Sequence, residues 1–351
     1  MSRVTNDARY PKSFASDNHA GVHSAVLQAI LAANVGDAPA YGDDEWTATF
    51  ERQITEVFGA QAKALPVFNG SGANIVGLAL MLGRYDGIIC AESAHITTHE
   101  TGATERLLGN KIITVPTEDG KLRPDDIVSR IHTLGVRFEV QPKVVSISQA
   151  TELGTSYTPD EITALAETAH AHGLRLHMDG ARLANAAAFL GCDLRAFTTD
   201  AGVDVFSFGG TKNGALGAEA VVLLDPSLQE GGPYIRLQSL QQASKMRFLA
   251  AQLSALLTDD LWRQNASHAN AMAQRLAAGL AELPEVAVVH PVESNAVFAS
   301  LPRAVSQELL GHYRFHYWDE RAGLVRWMTA FDTTPAQVDD FLSSIQKAAL
   351  R

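Results

Sequence analysis

A chain of 351 residues, 46% of them hydrophobic, is long enough to bury a large domain together with a smaller one. Its 28 basic side chains face 39 acidic ones, a formal net charge of −11, so it lacks the basic surface that a nucleic acid or an anionic membrane requires. Cys90 and Cys192 are the only cysteines and neither has a metal-ligating companion at close spacing, which argues against a disulfide scaffold.

The first dozen residues are polar, with no apolar run of the signal-peptide kind, and no later apolar segment is long and uncharged enough to span a bilayer. The expectation is a soluble, cytoplasmic protein. Asp44–Phe58 reads as the first long helix. The apolar Leu65–Phe68 then runs into Asn69-Gly70-Ser71-Gly72-Ala73-Asn74, followed by an Ala/Leu-rich helix over Ala73–Leu82. A strand at Ile88–Cys90 leads to Glu92-Ser93-Ala94-His95-Ile96, and a second strand is expected at Lys143–Ser148. Thr158 and Pro159 open a helix that Gly173 stops after His172. A strand at Leu174–Met178 ends in Asp179-Gly180-Ala181-Arg182, and Val203–Phe208 ends in Gly209-Gly210-Thr211-Lys212-Asn213-Gly214. A further strand at Glu219–Leu224 and a helix at Leu261–Leu283 follow. Strands alternating with helices imply a mostly parallel sheet covered on both faces. From Val286 the pattern shortens to strands at Val286–His290, Ala296–Ser300 and Leu324–Thr329 and a last helix over Pro335–Ala349. The organisation expected is therefore α/β, a large domain over residues 1–285 and a smaller C-terminal α+β domain over 286–351.

Four places combine into one chemistry. Ligands of open α/β sheets bind beyond the carboxyl ends of strands. Lys212 follows a strand on a turn with three glycines, where backbone can approach a cofactor closely. Asp179 ends another strand one β-α-β step earlier, a position for a carboxylate facing a ring nitrogen. Gly70 and Ser71 open a helix whose free N–H groups suit a phosphate, and the loop lacks a P-loop lysine. His95 follows a strand and offers a flat ring for stacking. A lysine Schiff base, a pyridinium partner, an anion cradle and a stacking group are what pyridoxal 5′-phosphate (PLP) requires. Taken singly, these residues fit a loop lysine, an N-cap aspartate, a capped turn and a surface histidine equally well. His99 and His177 read as ordinary structural histidines. No metal site is expected, because His95 and His99 lack a carboxylate motif of the zinc-protease kind.

Together the segments resemble the L-threonine aldolases of the β-eliminating-lyase group, fold-type-I PLP enzymes. The pieces are Ala15-Ser16-Asp17-Asn18, Ala40-Tyr41-Gly42-Asp43-Asp44, the Asn69–Asn74 loop, Ala94-His95-Ile96, His177–Arg182 and Gly210–Gly214, and the match runs from about Phe14 to the final helix. The Phe208–Gly214 form and Tyr41-Gly42-Asp43-Asp44 are similar to the low-specificity branch that includes phenylserine aldolases.

The resemblance implies a fold-type-I large domain and a set of roles. Lys212 would carry the cofactor, Asp179 would pair with its ring nitrogen, and Gly70 and Ser71 would bind its phosphate. His95 would stack on the ring and move the proton of the substrate β-hydroxyl. Ser16, Arg182 and Arg326 would grip the substrate carboxylate, for which a bidentate arginine is suited. It further implies a homotetramer built from dimers with shared sites, in which Arg236–Arg247, including Lys245, reaches a neighbour's phosphate. Many relatives carry a second active-site histidine shortly before the strand read here as Lys143–Ser148. In this chain Arg137 is expected in that place, a donor that cannot accept a proton. The activity implied is cleavage of L-3-hydroxy-α-amino acids to glycine and an aldehyde. Transamination, β-elimination and serine hydroxymethyl transfer would use the same lysine and aspartate. A non-catalytic PLP-binding protein or a nucleotide binder stands further off.

Overall fold

The apolar runs of this chain are short, rich in Val and Ile, and buried on both sides, which is the signature of strands in the middle of a covered sheet. The computed structural model describes residues 13–349. Seven strands form one sheet: β1 (Lys63–Val67), β2 (Asp86–Ala91), β3 (Lys111–Val115), β4 (Gln141–Ser148), β5 (Arg175–Asp179), β6 (Val205–Gly209) and β7 (Glu219–Leu223). Their spatial order is β1-β7-β6-β5-β4-β2-β3, and β7 runs antiparallel to both its neighbours while the other pairs are parallel. Alternate residues feed two cores. Leu176, Met178, Phe206 and Phe208 pack on one face, and Ile88, Cys90, Val144, Val205 and Val221 on the other.

The helix Gly70–Met81 covers the second face. Its Gly77 lets it lie close, since a Cβ there would come within 3.1 Å of Val205 and 3.4 Å of His177. That close packing brings the start of the helix to the carboxyl ends of β5 and β6.

A second, antiparallel sheet follows in the order β10-β11-β9-β8, with β8 at Ala287–Val288, β9 at Ala296–Ser300, β10 at His316–Asp319 and β11 at Leu324–Met328. The helix Pro335–Ala349 packs on it through Phe341, whose ring lies 5.1 Å from Trp327. The fold is thus α/β with a seven-stranded, mostly parallel sheet and a C-terminal antiparallel-sheet domain. The strand expected at Val286–His290 shrinks to two exposed edge residues, which have no face to bury. Phe14 stacks on Phe341 at 4.4 Å, and Phe14 exchanges backbone hydrogen bonds with Arg314 and Met328. The beginning of the described chain is therefore tied to the C-terminal sheet, and this sets Asp17 against the large sheet.

Candidate active site

A cavity of about 380 Å³ opens where β4, β5 and β6 end. Lys212, Asp179, His95, Gly70, Ser71 and Arg182 all line it. Ser16, Arg326 and Lys245 are not among its lining residues.

Lys212 lies in a single 3-10 turn, Thr211–Asn213, directly after β6. Gly210 and Gly180 are required there: a Cβ on Gly210 would collide with the Ala218 carbonyl, and one on Gly180 with that of Ser207. Burial, reinforced by the charge of Arg182, lowers the Lys212 ammonium below the usual lysine range. Its Nζ makes no hydrogen bond among the described residues. Glu219 on β7 clamps the turn, accepting N–H bonds from Gly210 (2.9 Å) and Thr211 (3.2 Å). Burial pushes Glu219 up to about 7.

Asp179 ends β5 with its carboxylate buried. Burial opposes its charge, but Lys212 and a hydrogen bond from Asn74 Nδ2 (2.9 Å) hold it below the usual carboxylate range. Ala181 N–H donates to its other oxygen at 3.0 Å.

Asn69 caps the helix Gly70–Met81 by accepting from Gly72 N–H at 2.7 Å. The N–H groups of Gly70 and Ser71 remain without intrahelical partners, as in any first helical turn. Thr211, held by Glu219, lines the same cavity.

His95 begins the short helix His95–Thr98, with its N–H bonded to Glu152 Oε1 at 2.7 Å and its Nδ1 2.9 Å from Glu100 Oε1. Its ring stacks on His99 at 5.7 Å, and His99 stacks on Trp318 of β10 at 5.9 Å. His95, Glu100 and Asp179 offer ligand atoms within 4.8 Å of one another, yet two of these groups are already engaged by Asn74.

Arg182 forms a bidentate pair with Asp17, at 2.8 and 2.9 Å. Burial works against the carboxyl's charge, but Arg182 and Lys212 overcome it and hold Asp17 down at about 2. Arg326 lies beyond, its Nη2 3.4 Å from the Ala15 carbonyl, its Nε buried without a partner and its guanidinium over the Trp318 ring at 5.4 Å. Burial and the charge of Arg182 lower Arg326 to about 10. Asp17 is thus paired with Arg182 alone, while Arg326 makes no bond to a carboxylate among the described residues. Ser16 instead caps the turn Asp17–His19, its Oγ accepting from Asn18 N–H at 3.2 Å. Lys245 is exposed on the surface.

The expectation for Arg137 is corrected within the protomer. It is exposed before β4, its guanidinium 4.7 Å from the Phe138 ring, and it lines a separate surface cleft at the opposite end of the sheet. His177, read as structural, is fully buried with Nδ1 2.9 Å from Ser146 Oγ. Sequence reasoning missed Glu100, Glu152 and Glu219 altogether. Asn74 and Asp17 stood inside quoted motifs but received no role.

The profile of the beta-eliminating lyase family matches residues 13–303. The low specificity L-threonine aldolase of Pseudomonas aeruginosa is 40% identical over 340 residues, covering 96% of this chain and 98% of that protein. Its counterpart in Saccharomyces cerevisiae is 25% identical over 296 residues, 82% of this chain and 74% of that protein. Among solved structures, a Leishmania major threonine aldolase superposes with a TM-score of 0.91 at 31% identity, covering 97% of this chain and all (100%) of that one. A Thermus thermophilus aspartate aminotransferase superposes with a TM-score of 0.70 over 96% of this chain and 90% of its own; at 15% identity it speaks for the fold alone.

Proposed function

The chain belongs to the beta-eliminating lyase family, and from that premise we propose that it is a low-specificity L-threonine aldolase that uses PLP. Its substrates would be L-3-hydroxy-α-amino acids such as L-threonine, L-allo-threonine and L-phenylserine, cleaved to glycine and an aldehyde. The observation that carries this reading is the convergence of Lys212, Asp179 and His95 on one cavity.

The residues present fit the cofactor. Lys212 has a depressed ammonium and no competing hydrogen bond, so its neutral amine is available as a covalent anchor. Asp179 stays charged although buried, which suits a protonated ring nitrogen. The free N–H groups of Gly70 and Ser71, which line the cavity, supply donors for a phosphate. The half-exposed His95 ring gives a stacking surface. When bound, PLP supplies the electron sink for the carbanion left as Cα–Cβ breaks.

The protein's own groups do the rest. Arg182, paired with Asp17, and Arg326 beyond it orient the substrate through its carboxylate. His95 accepts the β-hydroxyl proton as the Cα–Cβ bond breaks and the aldehyde forms. A proton then returns to Cα, giving glycine. Asp179, held in place by Asn74 and the Ala181 N–H, would supply the negative charge that keeps the cofactor's ring nitrogen protonated.

The assembly we propose is a homotetramer of dimers with shared sites. Gln241 of the segment Arg236–Arg247 accepts from Phe68 N–H at 3.1 Å, which places the segment at the helix start at Gly70 of its own protomer. Exposed Lys245 on that segment is free to reach a neighbour's phosphate.

The cofactor assignment is tested by borohydride reduction of the purified, yellow protein followed by peptide mapping. We expect the reduced adduct on Lys212. Recovery on any other lysine would overturn the assignment.

A further inference from the structure

Glu100 stands in none of the motifs that point to the site, yet its side chain is only 1% exposed beneath His95. Its Oε1 accepts from Asn74 Nδ2 at 3.1 Å and lies 2.9 Å from His95 Nδ1, while Oε2 has no partner. Asn74 Nδ2 also donates to Asp179 Oδ2 at 2.9 Å. An oxygen that already accepts from an amide is acting as an acceptor, and a carboxylate has no proton to give. The proton shared with His95 therefore belongs to Nδ1 of the ring. Its lone pair is then on Nε2, the nitrogen that can take a proton from a hydroxyl.

From this geometry we infer that Glu100 is the positioning residue that holds His95 in the Nδ1–H form. It does for the imidazole what an orienting carboxylate does in any histidine-based proton transfer. Glu152 Oε1 fixes the backbone at His95 by accepting its N–H at 2.7 Å, and the ring face rests on His99. Asn74 ties Glu100 to Asp179. The group that prepares the proton acceptor and the group proposed to keep the ring nitrogen charged therefore share one hydrogen-bonded network.

The inference rests on the aldolase reading, in which His95 moves the hydroxyl proton, but its test reads a different quantity. The holoenzyme, labelled with ¹⁵N in its histidine rings, is examined by NMR at mildly alkaline pH, with His95 assigned by its loss in His95→Gln. Wild type should show His95 protonated on Nδ1 and bare on Nε2. A ring protonated on Nε2 would overturn the inference without recourse to any variant. Glu100→Leu removes the acceptor, so the ring should populate both forms and kcat should fall about a hundredfold while KM stays within about threefold. Glu100→Gln keeps one oxygen within reach of both donors, so it should retain the Nδ1–H form and lose less than about tenfold. Glu100→Leu that keeps the Nδ1–H form, or whose loss lies in KM alone, would contradict the inference. Should Glu100→Leu fail to fold, the wild-type and Glu100→Gln spectra still decide. Failure of the aldolase reading would show separately, as wild type that releases no aldehyde.

Discussion

Asp179 is removed from water by its place at the end of β5, and a carboxylate so placed would ordinarily take up a proton. Lys212, the Asn74 amide and the Ala181 N–H reverse that tendency. Asp179→Asn keeps an acceptor for the Ala181 N–H and so the local loop, but it removes the charge that the proposed function needs. The variant should retain the cofactor's absorbance and lose about a hundredfold or more in kcat, a few kcal/mol of electrostatic stabilisation. Steady-state cleavage near the wild-type rate by a folded, cofactor-loaded variant would remove Asp179 from that role. Lys212 and Asp179 were legible in the sequence because each follows an apolar strand and adjoins glycine. Glu100 and Glu219 were not, because nothing local marks a glutamate whose partners lie on other elements: Asn74 for one, and the Gly210 and Thr211 N–H groups for the other.

At the scale of elements, the strands that were easiest to read are those buried on both faces, such as β5 and β6. β3 and β10 escaped notice because they lie at sheet edges and leave residues half-exposed, so their apolar pattern is diluted. The helix Gly70–Met81 begins three residues before the expected Ala73, because Asn69 caps it and draws both glycines into the first turn. Pairing of β4 with β5 carries a titratable cost. His177 on β5 meets Ser146 on β4, and burial pushes the imidazole down to about 4 from its ordinary 6.5, with Asp179 and Glu100 opposing only in part. The folded state thus binds fewer protons than the unfolded state between those values, so the stability from this group is complete above about pH 6.5 and lost as pH falls to about 4. The shift corresponds to roughly 3 kcal/mol. Denaturant unfolding across that range should show a shallower pH slope for His177→Gln than for wild type. Parallel slopes would mean that His177 is not the group responsible.

For the whole molecule, the C-terminal sheet holds Phe14 and thereby sets Asp17 against Arg182, a long-range arrangement that no local sequence pattern announces. Two exposed apolar side chains adjoin residues at the cavity: Leu216, 62% exposed, precedes the lining Gly217, and Leu240, 84% exposed, precedes Gln241, which accepts from the N–H of the lining Phe68. Exposed apolar side chains so placed fit the proposed assembly with shared sites. Leu240→Glu should therefore shift sedimentation toward smaller species at low concentration and lower activity in parallel; an unchanged sedimentation profile would argue against that surface as the contact. No helix among the described residues is long and apolar enough to cross a membrane. The central claim is the reaction itself, because the roles proposed for Lys212 and Asp179 would serve elimination as well as aldol cleavage. The most direct test incubates the cofactor-loaded protein with L-threonine, L-allo-threonine, L-phenylserine and their D forms and identifies every product. The account predicts glycine and the matching aldehyde in equal amounts from the L substrates of both β-configurations, and no cleavage of D-threonine. Ammonia and a keto acid in place of glycine and aldehyde would contradict it.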